Sequence, residues 1–137
     1  MKKRAPISKI MSTDILTVNQ TQTLKEVNEI LKNKHVRHVP VVSGKKVIGM
    51  LSSTDIQKIS FINTVDGDEL TTGMFDVLTI EQVMSKDLKT MQQDELIYDA
   101  AVMLANNDFH AIPVLEGEDL VGIVTSTDLL KYLVDQY

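Results

Sequence analysis

The chain repeats itself. Ile7-Ser8-Lys9-Ile10-Met11-Ser12-Thr13-Asp14 returns as Ile80-Glu81-Gln82-Val83-Met84-Ser85-Lys86-Asp87, a displacement of 73 residues (80 − 7 = 73). Without a gap, the same displacement carries Thr17 onto Thr90, Leu31 onto Leu104, Pro40-Val41 onto Pro113-Val114 and Gly44 onto Gly117. It then carries Gly49 onto Gly122, Ser53-Thr54-Asp55 onto Ser126-Thr127-Asp128 and Lys58 onto Lys131. A register held this long means two copies of one supersecondary unit. Each copy, at about 53 residues, is too small to bury both faces of a sheet comfortably, so the copies are expected to pack together.

Periodicity gives each copy the order β-α-β-β-α. A short amphipathic turn (Ile7 to Met11; Ile80 to Met84) leads to a brief extended segment near Thr17 or Thr90. Next comes a helix with Leu24, Val27, Ile30 and Leu31 on one face, or Ile97, Ala100, Ala101 and Leu104 in the second copy. Thr23 and Glu26 form a capping-box pattern at the first of these helices; in the second, Leu96 takes the place of Thr23 and Asp94 is the expected cap. Two β-branched runs around Gly44, and two around Gly117, carry a hairpin signature. A last helix opens at Ser52 or Thr125. The expected division is residues 1–59 for the first repeat with its N-terminal segment, 60–79 for a connecting loop and 80–137 for the second repeat. The acidic centre of that loop, Asp66-Gly67-Asp68-Glu69, reads as solvated, because its spacing does not match an EF-hand.

Composition narrows the function. A net charge of −5 argues against an extended nucleic-acid surface. No apolar run is long enough to cross a bilayer, and the charged start Met1-Lys2-Lys3-Arg4 is not followed by a signal-peptide core, so a cytoplasmic protein without membrane insertion is expected. With no cysteine, thiolate catalysis and cysteine-ligated zinc are excluded. There is no Gly-x-Ser-x-Gly elbow and no P-loop, and the His35/His38 pair has no counterpart in the second copy, where Asp108 and Ala111 stand. Neither an enzyme nor a metal site is expected.

The ends of the two copies point to a family. Each has Gly, two apolar residues, Ser or Thr, two residues and Asp: Gly49-Met50-Leu51-Ser52-Ser53-Thr54-Asp55 and Gly122-Ile123-Val124-Thr125-Ser126-Thr127-Asp128. At the same interval before each lies a proline-containing apolar strand, Val39-Pro40-Val41-Val42 or Ile112-Pro113-Val114-Leu115. The chain thus resembles a tandem pair of cystathionine β-synthase-type (CBS) domains, a Bateman module. That resemblance implies an α+β fold of two β-α-β-β-α repeats packed about a pseudo-twofold axis. It also implies adenine nucleotide (AMP, ADP or ATP) as a regulatory ligand held in clefts between the repeats, a homodimer, and a regulated partner enzyme or transporter.

By resemblance, Asp55 and Asp128 accept the two ribose hydroxyls, a task an ionised carboxylate can perform with both oxygens. Ser52, Thr54, Thr125 and Thr127 lie at a helix start, where hydroxyls and free N–H groups can accommodate phosphate. Ser52-x-x-Asp55 and Thr125-x-x-Asp128 also satisfy a capping box, and the two roles are compatible. Arg37 and His38, with His110 in the second copy, sit where the family places phosphate-facing bases; a strand-edge histidine is the alternative for both imidazoles. The copies differ here, so unequal affinities are expected. Thr17 and Thr90 are the family-equivalent strand positions near the base, and Thr23 is either a contact or an N-cap. The alternatives are a partner-binding scaffold without a nucleotide, or a sensor of S-adenosylmethionine or NAD.

Overall fold

The structure is a computed structural model that describes residues 4–64 and 77–137, with side chains assigned for 4–59 and 77–137. The acidic stretch Asp66-Gly67-Asp68-Glu69 lies outside the described residues.

The fold is α+β, with the β-α-β-β-α order built twice. The first copy comprises β1 (Val18–Asn19), α1 (Leu24–Asn33), β2 (His38–Ser43), β3 (Lys46–Ser52) and α2 (Ser53–Thr64). A short helix α3 (Ile80–Val83) precedes β4 (Met91–Gln92), α4 (Ile97–Ala105), β5 (Ala111–Glu116), β6 (Asp119–Thr125) and α5 (Ser126–Asp135). Each copy has a three-stranded sheet, β1-β2-β3 or β4-β5-β6, with the first pair parallel and the second antiparallel.

The hairpins follow from two-residue turns. Gly44 and Gly117 each take the first turn position at φ 65°, a conformation that side-chain-bearing residues rarely adopt. One extra residue on the returning strand, Ile48 or Val121, makes a bulge before Gly49 or Gly122 pairs with Val41 or Val114.

Proline in the middle strand of a sheet removes a donor, yet Pro40 and Pro113 are both buried there. The ladder explains why. Met50, opposite Pro40, spends its N–H and C=O on Ser85 (3.0 and 2.9 Å), so the Pro40 nitrogen faces away from β3, towards β1. The first β1 pair is Val18 with Val41, one position beyond the proline. Ile123, opposite Pro113, bonds Ser12 in the same way (3.0 and 2.9 Å).

The compact units do not follow the repeat along the sequence. One gathers Met1–Ile15 with Leu88–Tyr137, and the other is Leu16–Asp87. Each core is therefore completed by the turn that precedes the other copy. Ile80 and Met84 join Val18, Leu24, Val27, Val39, Val41 and Leu51, whereas Ile7 joins Met91, Ala100, Leu104, Ile112, Val114 and Val124. Ile7 and Ile80 are both fully buried.

Helix starts show the consequence. Thr23 caps α1 as expected: its hydroxyl accepts from the Glu26 N–H (3.1 Å) and donates to the Glu26 carboxylate (3.2 Å). Hydrogen bonds from the Gln22 and Thr23 side chains hold the Glu26 carboxyl below its ordinary pKa. Asp94 does not cap α4, contrary to the sequence expectation. Leu96 is the N-cap and offers no side-chain acceptor; the Ala5 carbonyl instead accepts from Ile97 N–H at 2.9 Å. The Ile7 N–H in turn donates to Glu95 O at 2.8 Å. A main-chain carbonyl from the N-terminal segment thus takes the first N–H of α4, while the Asp99 N–H, equivalent to the Glu26 N–H that Thr23 accepts, turns to Leu96 O at 3.0 Å.

Lys34 is the C-cap of α1, and His35 follows with φ 53°. That is the left-handed position usually given to glycine after a helix. His35→Gly is expected to raise stability by about 0.5–1 kcal/mol, because relief of the left-handed cost outweighs the added chain entropy. An unchanged or lower urea midpoint would contradict this.

Candidate ligand-binding site

Helices α2 and α5 open identically. Ser52 N–H donates to Asp55 Oδ2 (3.0 Å) and Asp55 N–H donates to Ser52 Oγ (3.1 Å). Thr125 N–H donates to Asp128 Oδ2 (2.9 Å) and Asp128 N–H donates to Thr125 Oγ1 (3.2 Å). These are reciprocal capping boxes, together worth about 1 kcal/mol per helix. Each box uses one oxygen of its carboxylate. Oδ1 of Asp55 and of Asp128 has no hydrogen-bond partner among the described residues, and both aspartates are only partly buried. An ionised carboxylate with a spare oxygen at the surface can still accept from a ligand hydroxyl.

A second backbone link brings the basic positions to the same place. Ser53 N–H donates to Arg37 O (2.9 Å) and Ser126 N–H donates to His110 O (3.0 Å). Arg37 and His110 therefore sit at equivalent points beside the first turn of the closing helix, and both are exposed. His38 is the strand partner of Ser52, as Ala111 is of Thr125, and His38 is partly buried with an interaction of its own. The hydroxyls of Thr54 and Thr127 are exposed and have no partner among the described residues.

Thr17 and Thr90 stand one residue before β1 and β4. In the parallel register this is the level of Pro40 and Pro113, part-way back towards the end of the sheet where α2 or α5 begins. Both are exposed. Thr23 belongs elsewhere. It follows the C-terminal end of β1, where Gln20 N–H donates to Val42 O (3.3 Å), so it lies at the hairpin-tip end of the sheet. His38 to Ser43 spans about 16 Å of strand at roughly 3.3 Å per residue, which separates Thr23 from Asp55. The structure gives Thr23 the capping role and does not bring it to the carboxylate.

Sequence reasoning missed the contribution of the lead turns to this end of each sheet. Ser12 bridges Ile123 and Ser85 bridges Met50, adding a short edge to β6 and β3 close to where the closing helices begin. Met84 and Met11 press on Gly49 and Gly122. A Cβ at Gly122 would lie 2.7 Å from Met11 Sδ and 3.0 Å from Ser12 O, and at Gly49 it would collide with Met84 Sδ. Met84 is thus a core residue. In α5, Leu129 packs on the core while Leu130, Leu133 and Val134 are exposed.

Two β-α-β-β-α repeats, each closing on a helix whose cap contains the aspartate of Gly-x-x-Ser/Thr-x-x-Asp, define a tandem CBS-domain pair. The CBS domain family model matches residues 7–61 and 80–135, and the chain belongs to this family. It is 30% identical over 125 residues to an uncharacterized protein, MJ1232, of Methanocaldococcus jannaschii, covering 90% of this chain and 38% of that one. The chain spans between 24% and 46% of the length of the first five curated relatives it matches. In fold it is similar to the CBS domain pair of protein MJ0100, solved in complex with 5′-methylthioadenosine and S-adenosyl-L-methionine (TM-score 0.81, 24% identity, 97% and 98% of the two chains). It is likewise similar to CBSX2 in complex with AMP (TM-score 0.81, 18% identity, 96% and 98%). Among the described residues no helix is long and apolar enough to cross a membrane.

Proposed function

We propose that this chain is a regulatory sensor that binds an adenine nucleotide at the openings of α2 and α5 and passes the binding state to a partner protein. The observation that carries this reading is the pair of spare carboxylate oxygens. A helix cap needs one acceptor, and Asp55 and Asp128 each keep a second, Oδ1, beside exposed hydroxyls and a base. The ribose diol would donate to the carboxylate, with phosphate beside the helix N-terminus and, in the first copy, Arg37. Thr17 and Thr90 stand at the edge of this arrangement, near the base. Support comes from the similar CBS pairs solved with AMP, S-adenosylmethionine and 5′-methylthioadenosine.

No catalytic role is part of this reading. The protein acts in the cytoplasm, as a homodimer in which the exposed Leu130, Leu133 and Val134 of α5 are covered. Ligand binding regulates the partner by favouring one arrangement of the protein over another, which requires unequal affinity for the two.

Asp→Asn separates the cap from the ligand contact. Asparagine keeps a carbonyl oxygen to accept from Ser52 N–H or Thr125 N–H, but loses the charge and presents an amide donor to the ribose. Isothermal titration and thermal shift with AMP, ADP, ATP, NAD and S-adenosylmethionine are the test. The Asp55→Asn/Asp128→Asn protein is expected to bind about 10–100-fold more weakly, the value of one or two charge-assisted hydrogen bonds, with its melting temperature nearly unchanged. No response of the wild-type protein to any of the five at millimolar concentration would favour the scaffold reading instead.

A further inference from the structure

Resting on that reading, the charge around the two openings points to a division of labour: we infer that the first copy takes a phosphate-bearing adenosyl ligand and the second an adenosyl ligand without phosphate. The segments that enter β2 and β5 are aligned by the repeat and tied to the closing helices through the same backbone bond, Ser53 N–H to Arg37 O and Ser126 N–H to His110 O. Position by position, therefore, they deliver their charges to the same place. Lys34-His35-Val36-Arg37-His38 carries two formal positive charges and two imidazoles. Asn107-Asp108-Phe109-His110-Ala111 carries one negative charge and one imidazole. Lys34, His35, Arg37, Asn107, Asp108 and His110 are all exposed. Together with the capping aspartate, this segment carries a formal charge of +1 in the first copy and −2 in the second, counting histidine as neutral.

A phosphate senses this difference and a ribose does not. Three unit charges acting through water at roughly 8 Å change the affinity for one negative charge by about tenfold, and a direct guanidinium contact adds to that. The second opening keeps the diol acceptor Asp128, and the segment beside it brings the carboxylate of Asp108 where the first copy brings two cations. That suits a neutral thioether, and still better a sulfonium cation, attached to the same nucleoside.

Calorimetry with AMP and 5′-methylthioadenosine as probes isolates each opening. Asp128→Asn leaves the first copy intact and Asp55→Asn leaves the second. The expected result is AMP binding about tenfold or more weaker in Asp55→Asn than in Asp128→Asn, with 5′-methylthioadenosine retained by Asp55→Asn within threefold of wild type. Adding Asp108→His and His110→Arg to Asp55→Asn should restore AMP binding about tenfold. Equal AMP affinity in the two single variants, or no gain from the charge exchange, overturns the division while leaving nucleotide binding intact. Failure of the wild type to bind either probe overturns the division, and failure to respond to ADP, ATP, NAD and S-adenosylmethionine as well overturns the nucleotide reading beneath it.

Discussion

Ile7→Ala is expected to lower stability by about 2–5 kcal/mol, the usual cost of emptying a fully buried isoleucine site. The damage should appear in the second copy, not in the first copy that Ile7 precedes. Ile7 is 0% exposed and packs with Met91, Leu104, Ile112, Val114 and Val124. The turn that carries it also supplies the Ala5 carbonyl to the start of α4 and the Ser12 edge to β6. Loosening that turn therefore removes a core side chain, a helix cap and an edge pairing together. For a chain of this size the melting temperature should fall by roughly 5–15 °C. Amide exchange should accelerate mainly over β4 to α5, because local opening follows the unit that has lost its contacts. Ile80→Ala should do the converse and expose β1 to α2. Exchange that rises over 18–59 in Ile7→Ala would show that the cores are not completed in this crossed manner.

Gly49→Ala and Gly122→Ala should each cost about 1–3 kcal/mol, the range for overpacking a filled site, and they should differ in how they can be rescued. At Gly49, the three nearest atoms to an added Cβ all belong to the Met84 side chain. At Gly122, two belong to Met11 and the third is the Ser12 carbonyl oxygen, held at 3.0 Å from the Cβ position by the edge pairing. With Met84→Ala in place, Gly49→Ala should cost almost nothing further, giving a coupling energy of about 1–3 kcal/mol. With Met11→Ala in place, Gly122→Ala should still be destabilising, because the backbone oxygen remains. Denaturant unfolding of the two double-mutant cycles decides this, and additivity at Gly49/Met84 would sink the packing account.

Much of the local structure was legible in the sequence for physical reasons that are themselves local. Hairpin turns need a positive φ, so Gly44 and Gly117 announced them. Helix starts need an acceptor three residues before a carboxylate or amide, so Thr23-x-x-Glu26, Ser52-x-x-Asp55 and Thr125-x-x-Asp128 marked theirs. The exception is instructive. Asp94 looked like the cap of α4 because a sequence window cannot contain Ala5, whose carbonyl accepts from Ile97.

The candidate site was legible in part. Asp55 and Asp128, with Ser52 and Thr125, could be located from spacing and repetition. That each carboxylate keeps one oxygen outside its cap is a matter of side-chain geometry that spacing leaves open. Thr23 satisfied both a capping and a contact pattern, and only the direction of β1 relative to β2 removed it from the cluster.

What the amino-acid order determined alone was the unit and its duplication: period, caps and turns are set within a few residues, and a 73-residue displacement repeats them. What tertiary structure decided was ownership. Ile7 and Ile80 present the same apolar turn, and nothing in either turn states which core it will enter; burial requires only an unfilled sheet face and edge. The reason for Gly49 and Gly122 is decided at the same level, since the methionine each must accommodate belongs to a turn distant in the chain.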